Sequence, residues 1–226
     1  METMFDTILQ LPLFQGMTQE DMTTILGHVK LSFDRVGAGT PIVDAGEPCE
    51  NLLFVFKGEV EVVTRDPNGL LTVVEQRATP CLIEPYRLFG LRNCYMSHYR
   101  ARTECNVLKI RKIYVLEELF RYDIFRMNYA CIVCNKAQAL TEKLWKQTQV
   151  NTEAKLRSFF LCHVDNYKGV KKYQIKMTDL GMLLDSTRAN VSRILNAWEE
   201  EGIVELHRKE IVLPDVSRLL ALDLGD

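Results

Sequence analysis

Residues 187–196 place short hydroxyl, amide and guanidinium side chains along one side of a predicted helix. At about 100° per residue, the apolar side chains of this stretch gather on the other side, and they are Val191, Ile194, Leu195 and Trp198. A face with forked or short donors and no bulky hydrophobic residue suits a helix that lies in the DNA major groove. The residues that we predict to bind DNA here are Thr187, Arg188, Ala189, Asn190, Ser192, Arg193 and Asn196.

The polar residues of this face differ in what they can recognise. Thr187 is a favourable N-cap, so Arg188 falls in the first helical turn, where recognition helices touch base edges. Arg188 and Arg193 are candidates for guanine edges or phosphates. Asn190 and Ser192 are candidates for phosphate or adenine contacts.

The flanking sequence predicts that this helix is the second one of a winged helix-turn-helix. Residues 178–184 have the pattern of a short amphipathic helix, and a tight polar connection follows them. Gly202 ends the second helix, and residues 204–213 alternate like a small hairpin. Lys209 lies in the turn of that hairpin, where it would track backbone phosphate. The alternative is an ordinary pair of helices that only packs a core.

The rest of the chain must position this element. Residues 1–31 read as short helices, and residues 32–111 read as short strands that are separated by turns. Residues 66–69, Asp-Pro-Asn-Gly, are a strong hairpin signal. The predicted fold class is α+β, with an N-terminal β jelly-roll domain, a long dimerisation helix and a C-terminal winged helix-turn-helix domain.

The long helix is predicted over residues 123–150, which contain neither proline nor glycine. Small and apolar residues recur in it at spacings of three and four, like the seam of a coiled coil, and they are Ala130, Val133, Ala137, Leu140 and Leu144. This favours a homodimer, and the alternative is a helix that packs only on its own barrel. The predicted domains are residues 1–122, 123–150 and 151–226.

Composition and charge narrow the class of protein. The 226 residues have a formal net charge of −2, but residues 155–193 carry eight Lys or Arg against three Asp. A basic segment in a nearly neutral chain fits specific rather than indiscriminate DNA binding. We expect no membrane span and no signal peptide, a cytoplasmic location, and seven reduced cysteines.

The order of these elements resembles the Crp/Fnr family of bacterial transcription regulators, and the resemblance covers nearly the whole chain. The residues that carry it are 13–18, 39–47, 52–62, 192–193 and 200–204. It implies a cyclic-nucleotide-binding-like domain for residues 1–122. It also implies a homodimer that reads a near-palindromic site in double-stranded DNA, with RNA polymerase as a further partner.

Two departures from the family pattern limit what the resemblance implies. Cyclic-nucleotide binders of the family have a Gly-Glu pair and, some ten residues later, an Arg-Ser or Arg-Thr pair that neutralises the phosphate. Here Glu84-Pro85 and Tyr95-Met96 stand in those places, which argues against cyclic AMP. Nearby arginines could bind an anion from other positions, so the candidate effector pocket consists of Glu84, Arg87, Arg92, Tyr95 and Arg100. Another small effector and no effector both stay open.

The second departure lies in the reading helix, which often begins Arg-Glu in this family. Here Ala189 follows Arg188, and alanine cannot accept a hydrogen bond from a cytosine amino group. Its methyl group can touch a thymine methyl, so we expect a different half-site.

Other chemistry finds little support in the sequence. The iron-sulfur pattern of the family is absent in its usual form, since the first cysteine is Cys49. We interpret Cys131 and Cys134 as buried small residues of the long helix rather than as a redox pair. No metal-ligand or catalytic motif is present, so we predict no enzyme activity and no certain cofactor. The alternatives are a small-molecule or redox-sensing module with an incidental helix-turn-helix, and a barrel metalloenzyme.

Overall fold

The computed structural model describes residues 4–145, 151–164 and 166–222, with side chains from residue 7 onward. Residues 146–150, the C-terminal end of the predicted dimerisation helix, lie outside the described residues. The chain divides into two compact units. The first unit consists of Met1–Val60 and Ala78–Gln138, and the second of Glu61–Arg77 and Ala139–Asp226.

The helices and strands follow one another along the chain in the predicted order. The helices are α1 (Met4–Leu9), α2 (Gln19–His28), α3 (Lys112–Glu117), α4 (Asp123–Trp145), α5 (Thr152–Cys162), α6 (Met177–Leu183), α7 (Arg188–Glu200) and α8 (Ser217–Leu220). The strands are β1 (Leu31–Val36), β2 (Pro41–Val43), β3 (Asn51–Lys57), β4 (Glu59–Arg65), β5 (Thr72–Ala78), β6 (Cys81–Ile83), β7 (His98–Ala101), β8 (Cys105–Arg111), β9 (Lys171–Gln174), β10 (Glu205–His207) and β11 (Glu210–Leu213). Short 3-10 helices lie at Pro85–Arg87 and Leu119–Arg121.

The first unit is built on an antiparallel sheet in the order β1-β8-β3-β6, and β2 pairs antiparallel with β7. The centre of the sheet is buried because β3 reads Leu-Leu-Phe-Val in its middle, and these side chains form part of the core. Gly58 follows β3 at φ +106°, and a Cβ there would lie 2.6 Å from the Glu104 carbonyl oxygen. The described strands of this sheet leave two free edges, so they do not form the closed barrel that a jelly-roll suggests.

The second unit contains the predicted winged helix-turn-helix, with strands in the order β10-β11-β9-β5-β4. The predicted hairpin turn at residues 66–69 is confirmed, since the Gly69 amide donates to the Asp66 carbonyl oxygen at 2.9 Å. Strand β5 pairs antiparallel with β9. Val73 on β5 and Leu71, which directly precedes the strand, belong to the core of this unit. Residues 61–77 therefore belong to the second compact unit, and the predicted domain boundaries stay a prediction.

Helix α4 has one packed side and one exposed side. Phe125 is buried, and the Tyr129 hydroxyl donates to the Pro85 carbonyl oxygen at 2.6 Å. Cys131 and Cys134 are both exposed in the single chain, so the rest of the chain does not bury them as expected. They are exposed because, at 100° per residue, they lie on the side of the helix turned away from Phe125 and Tyr129.

The described structure confirms the predicted fold class: an N-terminal antiparallel β domain, a long helix and a C-terminal helix-turn-helix. Among the described residues, no helix is both long enough and apolar enough to cross a membrane.

Candidate nucleic-acid interface

Helices α6 and α7 form the helix-turn-helix, and a tight turn joins them. Asp185 adopts the left-handed conformation at φ 51°, and the Ser186 amide donates to the Gly181 carbonyl oxygen at 2.9 Å. A Cβ at Gly181 would lie 3.0 Å from the Ser186 carbonyl oxygen and 3.3 Å from the Arg188 nitrogen. The turn thus lies directly against α6, and any side chain at position 181 would press on the turn backbone.

The N-terminus of α7 is capped as predicted. Thr187 has an extended backbone, and its hydroxyl oxygen accepts a hydrogen bond from the backbone amide of Asn190 at 3.2 Å. This satisfies one of the amides that a helix N-terminus leaves without an intrahelical partner. Arg188 is consequently the first helical residue, and its side chain is exposed.

The predicted apolar face of α7 is buried, and it anchors the helix. Val191, Ile194, Leu195 and Trp198 all belong to the core of the second unit. The Trp198 side chain is 1% exposed, and its indole Nε1 donates to the Glu153 Oε1 atom at 3.0 Å. This face sets the rotation of the helix, because turning it would expose the indole and leave its N–H without a partner.

The opposite face of α7 points to solvent. Arg188, Ala189, Arg193 and Asn196 are exposed, and Ser192 is half-buried. The Arg193 Nη2 atom donates to the Asn190 Oδ1 atom at 3.2 Å, which orients the guanidinium and leaves most of its donors available. An exposed stripe with two arginines and small neighbours can approach base edges and phosphates closely.

Asn190 differs from its neighbours because its side-chain amide already makes hydrogen bonds within the protein. Its Nδ2 atom donates to the Thr152 Oγ1 atom at 3.0 Å and to the Ser186 Oγ atom at 3.2 Å. Together with the contact to Arg193, these bonds make Asn190 a link between α5, the turn and the exposed guanidinium. Its direct contact with DNA stays a prediction. Sequence patterns gave no signal for Thr152, which lies 38 residues upstream.

The wing is present where the sequence predicts it. β10 and β11 pair antiparallel, with Glu205 opposite Val212 and His207 opposite Glu210. Lys209 lies in the turn at φ 63°, and its side chain is exposed. Lys209 therefore occupies the position from which a wing side chain can reach a phosphate.

Arg218, on α8, contacts the segment that joins α7 to the wing, and the sequence analysis did not predict this role. Gly202 has φ 68° and ends the helix as predicted, with the Ile203 amide donating to the Trp198 carbonyl oxygen at 2.8 Å. The Arg218 Nη2 atom donates to the Glu201 carbonyl oxygen at 3.1 Å, and its Nη1 atom donates to the Gly202 carbonyl oxygen. Arg218 thus supplies a cation and donors to the carbonyl groups at the end of α7.

The predicted effector-pocket residues separate into two groups in the first unit. Glu84, Arg87 and Tyr95 lie inward, and Tyr95 donates from its hydroxyl to the Asn51 carbonyl oxygen at 3.2 Å. Burial raises the pKa of Tyr95, so this hydroxyl stays protonated and keeps its role as a donor. Arg92 and Arg100 are exposed, and no described contact joins them to Glu84.

The Glu84 carboxylate accepts hydrogen bonds from two main-chain amides and faces two further polar side chains. Its Oε2 atom accepts from the Met96 amide at 2.8 Å, and its Oε1 atom accepts from the Ser97 amide at 3.1 Å. The Tyr99 hydroxyl lies 3.5 Å from Oε1, and the Arg87 Nε atom lies 3.9 Å from Oε2. Tyr99 was not predicted as part of this pocket. Among the described residues, no group of three or more His, Cys, Asp or Glu side chains could hold a metal ion.

Two family models match separate parts of the chain. The cyclic nucleotide-binding domain matches residues 33–122, and the Crp-like helix-turn-helix domain matches residues 154–222. Together they cover more than half of the chain. The second match spans α6, α7 and the wing, which are the elements described above.

Several known proteins are similar to this chain over most of its length. The cAMP-activated global transcriptional regulator CRP of Escherichia coli is 25% identical over 207 residues, which is 88% of this chain and 97% of that protein. The cAMP-activated regulator Vfr of Pseudomonas aeruginosa is 24% identical over 187 residues, which is 79% of this chain and 87% of that protein. The crystal structure of Thermus thermophilus Catabolite Activator Protein has a TM-score of 0.51 at 20% identity, with 93% of this chain and 97% of that chain covered.

The chain belongs to the Crp/Fnr family of DNA-binding transcription regulators.

Proposed function

We propose that this protein is a homodimeric, sequence-specific transcription regulator that reads a near-palindromic DNA site with the exposed face of α7. The observation that carries the proposal is the division of α7 into an anchored apolar face and a solvent-facing face that bears Arg188 and Arg193. The protein acts in the cytoplasm, where bacterial DNA lies, and works with RNA polymerase rather than as an enzyme.

The exposed side of α4 supports a homodimer. Four of the five predicted seam residues, Ala130, Ala137, Leu140 and Leu144, are exposed, and Val133 is half-buried. Beside them an exposed stripe recurs at spacings of three and four, and it comprises Ile124, Met127, Cys131, Cys134, Gln138, Thr141 and Trp145. A largely apolar stripe with this spacing fits a second helix of the same kind. A dimer would present two copies of α7 to two half-sites of one operator.

The effector, if the protein takes one, is not cyclic AMP. The relatives CRP and Vfr are cAMP-activated, but here Tyr95 and Met96 stand where cyclic-nucleotide binders of the family have an Arg-Ser or Arg-Thr pair. The one inward-pointing arginine of the pocket, Arg87, faces the chain's own carboxylate on Glu84. The guanidinium that a cyclic phosphate would require is therefore already beside an anion.

Fluorescence anisotropy with DNA from the protein's own upstream region tests the proposal, with random-sequence duplex as competitor. We expect binding that resists the competitor, and a loss of about 1–3 kcal/mol per half-site in Arg193→Ala. Arg121→Ala is the matched control, because Arg121 is an exposed arginine of the other unit whose ion pair with Glu118 lies at the surface.

The same experiment separates the proposal from its alternative. A sensing module with an incidental helix-turn-helix would bind all duplexes alike and would not respond to Arg193→Ala. Equal affinity of the wild type for the upstream DNA and for duplexes selected at random, over all sites tested, would contradict the proposal.

A further inference from the structure

Glu84 is a buried carboxylate in an unusual backbone conformation. It lies between β6 and the 3-10 helix at Pro85–Arg87, with φ 35° and ψ 54°, the left-handed region that glycine adopts most readily. Its side chain points inward, and the residue is only 4% exposed. A carboxylate taken out of water in this way must be compensated by donors and by positive charge.

The compensation comes from a cradle of donors whose geometry is that of an anion site. Consecutive main-chain amides, those of Met96 and Ser97, approach the two carboxylate oxygens, and the Tyr99 hydroxyl approaches one of them. Successive amides that converge in this way form an anion-binding concavity. Arg87 adds a cation three residues after Glu84.

The cradle is larger than its present occupant needs. The Arg87 Nε atom is buried and has no hydrogen-bond partner among the described residues, since it stays 3.9 Å from the Glu84 Oε2 atom. A planar carboxylate offers two oxygens to these groups. A tetrahedral phosphate offers four, so it could engage both amides, the Tyr99 hydroxyl and the Arg87 Nε atom together.

We infer that the Glu84 carboxylate is a built-in ligand, which fills a phosphate-sized anion cradle formed by the Met96 and Ser97 amides, Tyr99 and Arg87. The cradle is therefore closed to phosphate and to cyclic nucleotides in the wild-type chain. Removal of the carboxylate opens it to an inorganic oxyanion. The inference deepens the proposed function, because it explains how a member of this family can work without a cyclic nucleotide.

Glu84→Gly is the direct test, because glycine accepts the left-handed backbone of this position and empties the cradle. The readout is thermal unfolding of the full chain in inorganic phosphate, against chloride at equal ionic strength. We expect a saturable rise in melting temperature, on the order of 5 °C, in Glu84→Gly and none in the wild type. Adding Arg87→Ala to Glu84→Gly should abolish the rise.

Glu84→Gln is the matched control. Glutamine keeps the size of the side chain and one acceptor oxygen, so the cradle stays filled and phosphate should have no effect. Glu84→Ala empties the same cradle, and it serves as the second variant if Glu84→Gly does not fold.

Two results would overturn the inference. One is the absence of any phosphate response in both emptied variants. The other is saturable binding of phosphate or cyclic AMP to the wild type, measured by calorimetry and lost in Arg87→Ala. Neither readout involves DNA, so a failure of the DNA-binding proposal would leave this result interpretable by itself.

Discussion

The pair formed by Glu75 and Lys171 predicts an asymmetric response to mutation. The two residues lie opposite each other in the β5–β9 ladder, and they are 4% and 0% exposed. The Lys171 Nζ atom donates to the Lys168 carbonyl oxygen at 2.7 Å, whereas the Glu75 Oε2 atom accepts from the Arg77 Nη2 atom at 2.7 Å. Glu75 thus has a second cation beside it.

The cost of breaking the pair depends on which partner is removed. Glu75→Gln leaves an ammonium group buried without the carboxylate that faces it, which costs about 3–5 kcal/mol. Lys171→Met removes the buried charge, fills the space of the aliphatic stem, and leaves Glu75 paired with Arg77. We expect this second change to cost less than about 1 kcal/mol, or to stabilise the second unit slightly.

Urea unfolding followed by tryptophan fluorescence measures the difference, because Trp198 is buried in the core of the second unit and reports on its opening. The double variant should recover most of what Glu75→Gln loses, which a double-mutant cycle quantifies. A loss in Lys171→Met as large as that in Glu75→Gln would refute the reasoning, since it would mean that packing rather than charge dominates at this position.

Three further predictions follow from particular contacts. Burial lowers the pKa of Lys171 below its usual 10.5, so the unfolded state binds the extra proton and the contribution of Lys171 to stability should rise as the pH approaches that value. The raised pKa values of Cys49, Cys105 and Tyr173 act in the opposite direction in both proteins, so the measurement is the difference in urea unfolding between the wild type and Lys171→Met, which should shift in favour of the wild type towards pH 10. Gly181→Ala should cost about 1–3 kcal/mol in urea unfolding and weaken DNA binding, because the added Cβ meets the turn at 3.0 Å, whereas Gly27→Ala, in open space on α2, should be neutral or stabilising. Thr187→Ala should cost about 1 kcal/mol through the lost cap, with Thr187→Ser restoring it, and equal stability of the two variants would contradict the capping role.

Local patterns predicted the reading element well because its determinants are close together in sequence. The 3.6-residue period of residues 191–198 identified the buried face of α7, Thr187 identified its start, and Gly202 its end. The wing followed from two short alternating runs around a turn. Each of these features depends on neighbours within one or two turns of chain, where propensity and periodicity act.

Features that depend on distant pairing could not be predicted. Nothing in the β-rich run 72–78 shows that its partner is β9, about a hundred residues away, because many strands have the same alternation. The amides that hold Glu84 lie 12 and 13 residues downstream, in a loop without a periodic pattern. The sequence did reveal that the two residue pairs with which the family binds a cyclic nucleotide are altered. Only the geometry shows that the Glu84 carboxylate lies among the amides of Met96 and Ser97.

The exposure of Cys131 and Cys134 also depends on parts of the chain that are distant in sequence. Their small, apolar character favoured a buried position, but burial depends on which side of α4 the rest of the chain covers. That choice is made by Phe125 and Tyr129, whose aromatic rings occupy the packed side.

Selection of DNA sites from a random duplex pool tests the central claim most directly, with the wild type and Arg193→Ala compared in parallel. The account predicts that the wild type enriches two inverted half-sites about 10 base pairs apart, centre to centre. It also predicts that Arg193→Ala loses preference at one base position in each half-site while keeping the spacing. Enrichment of no sequence by the wild type, or identical preferences together with equal affinities in the two proteins, would contradict the claim that the exposed face of α7 reads DNA.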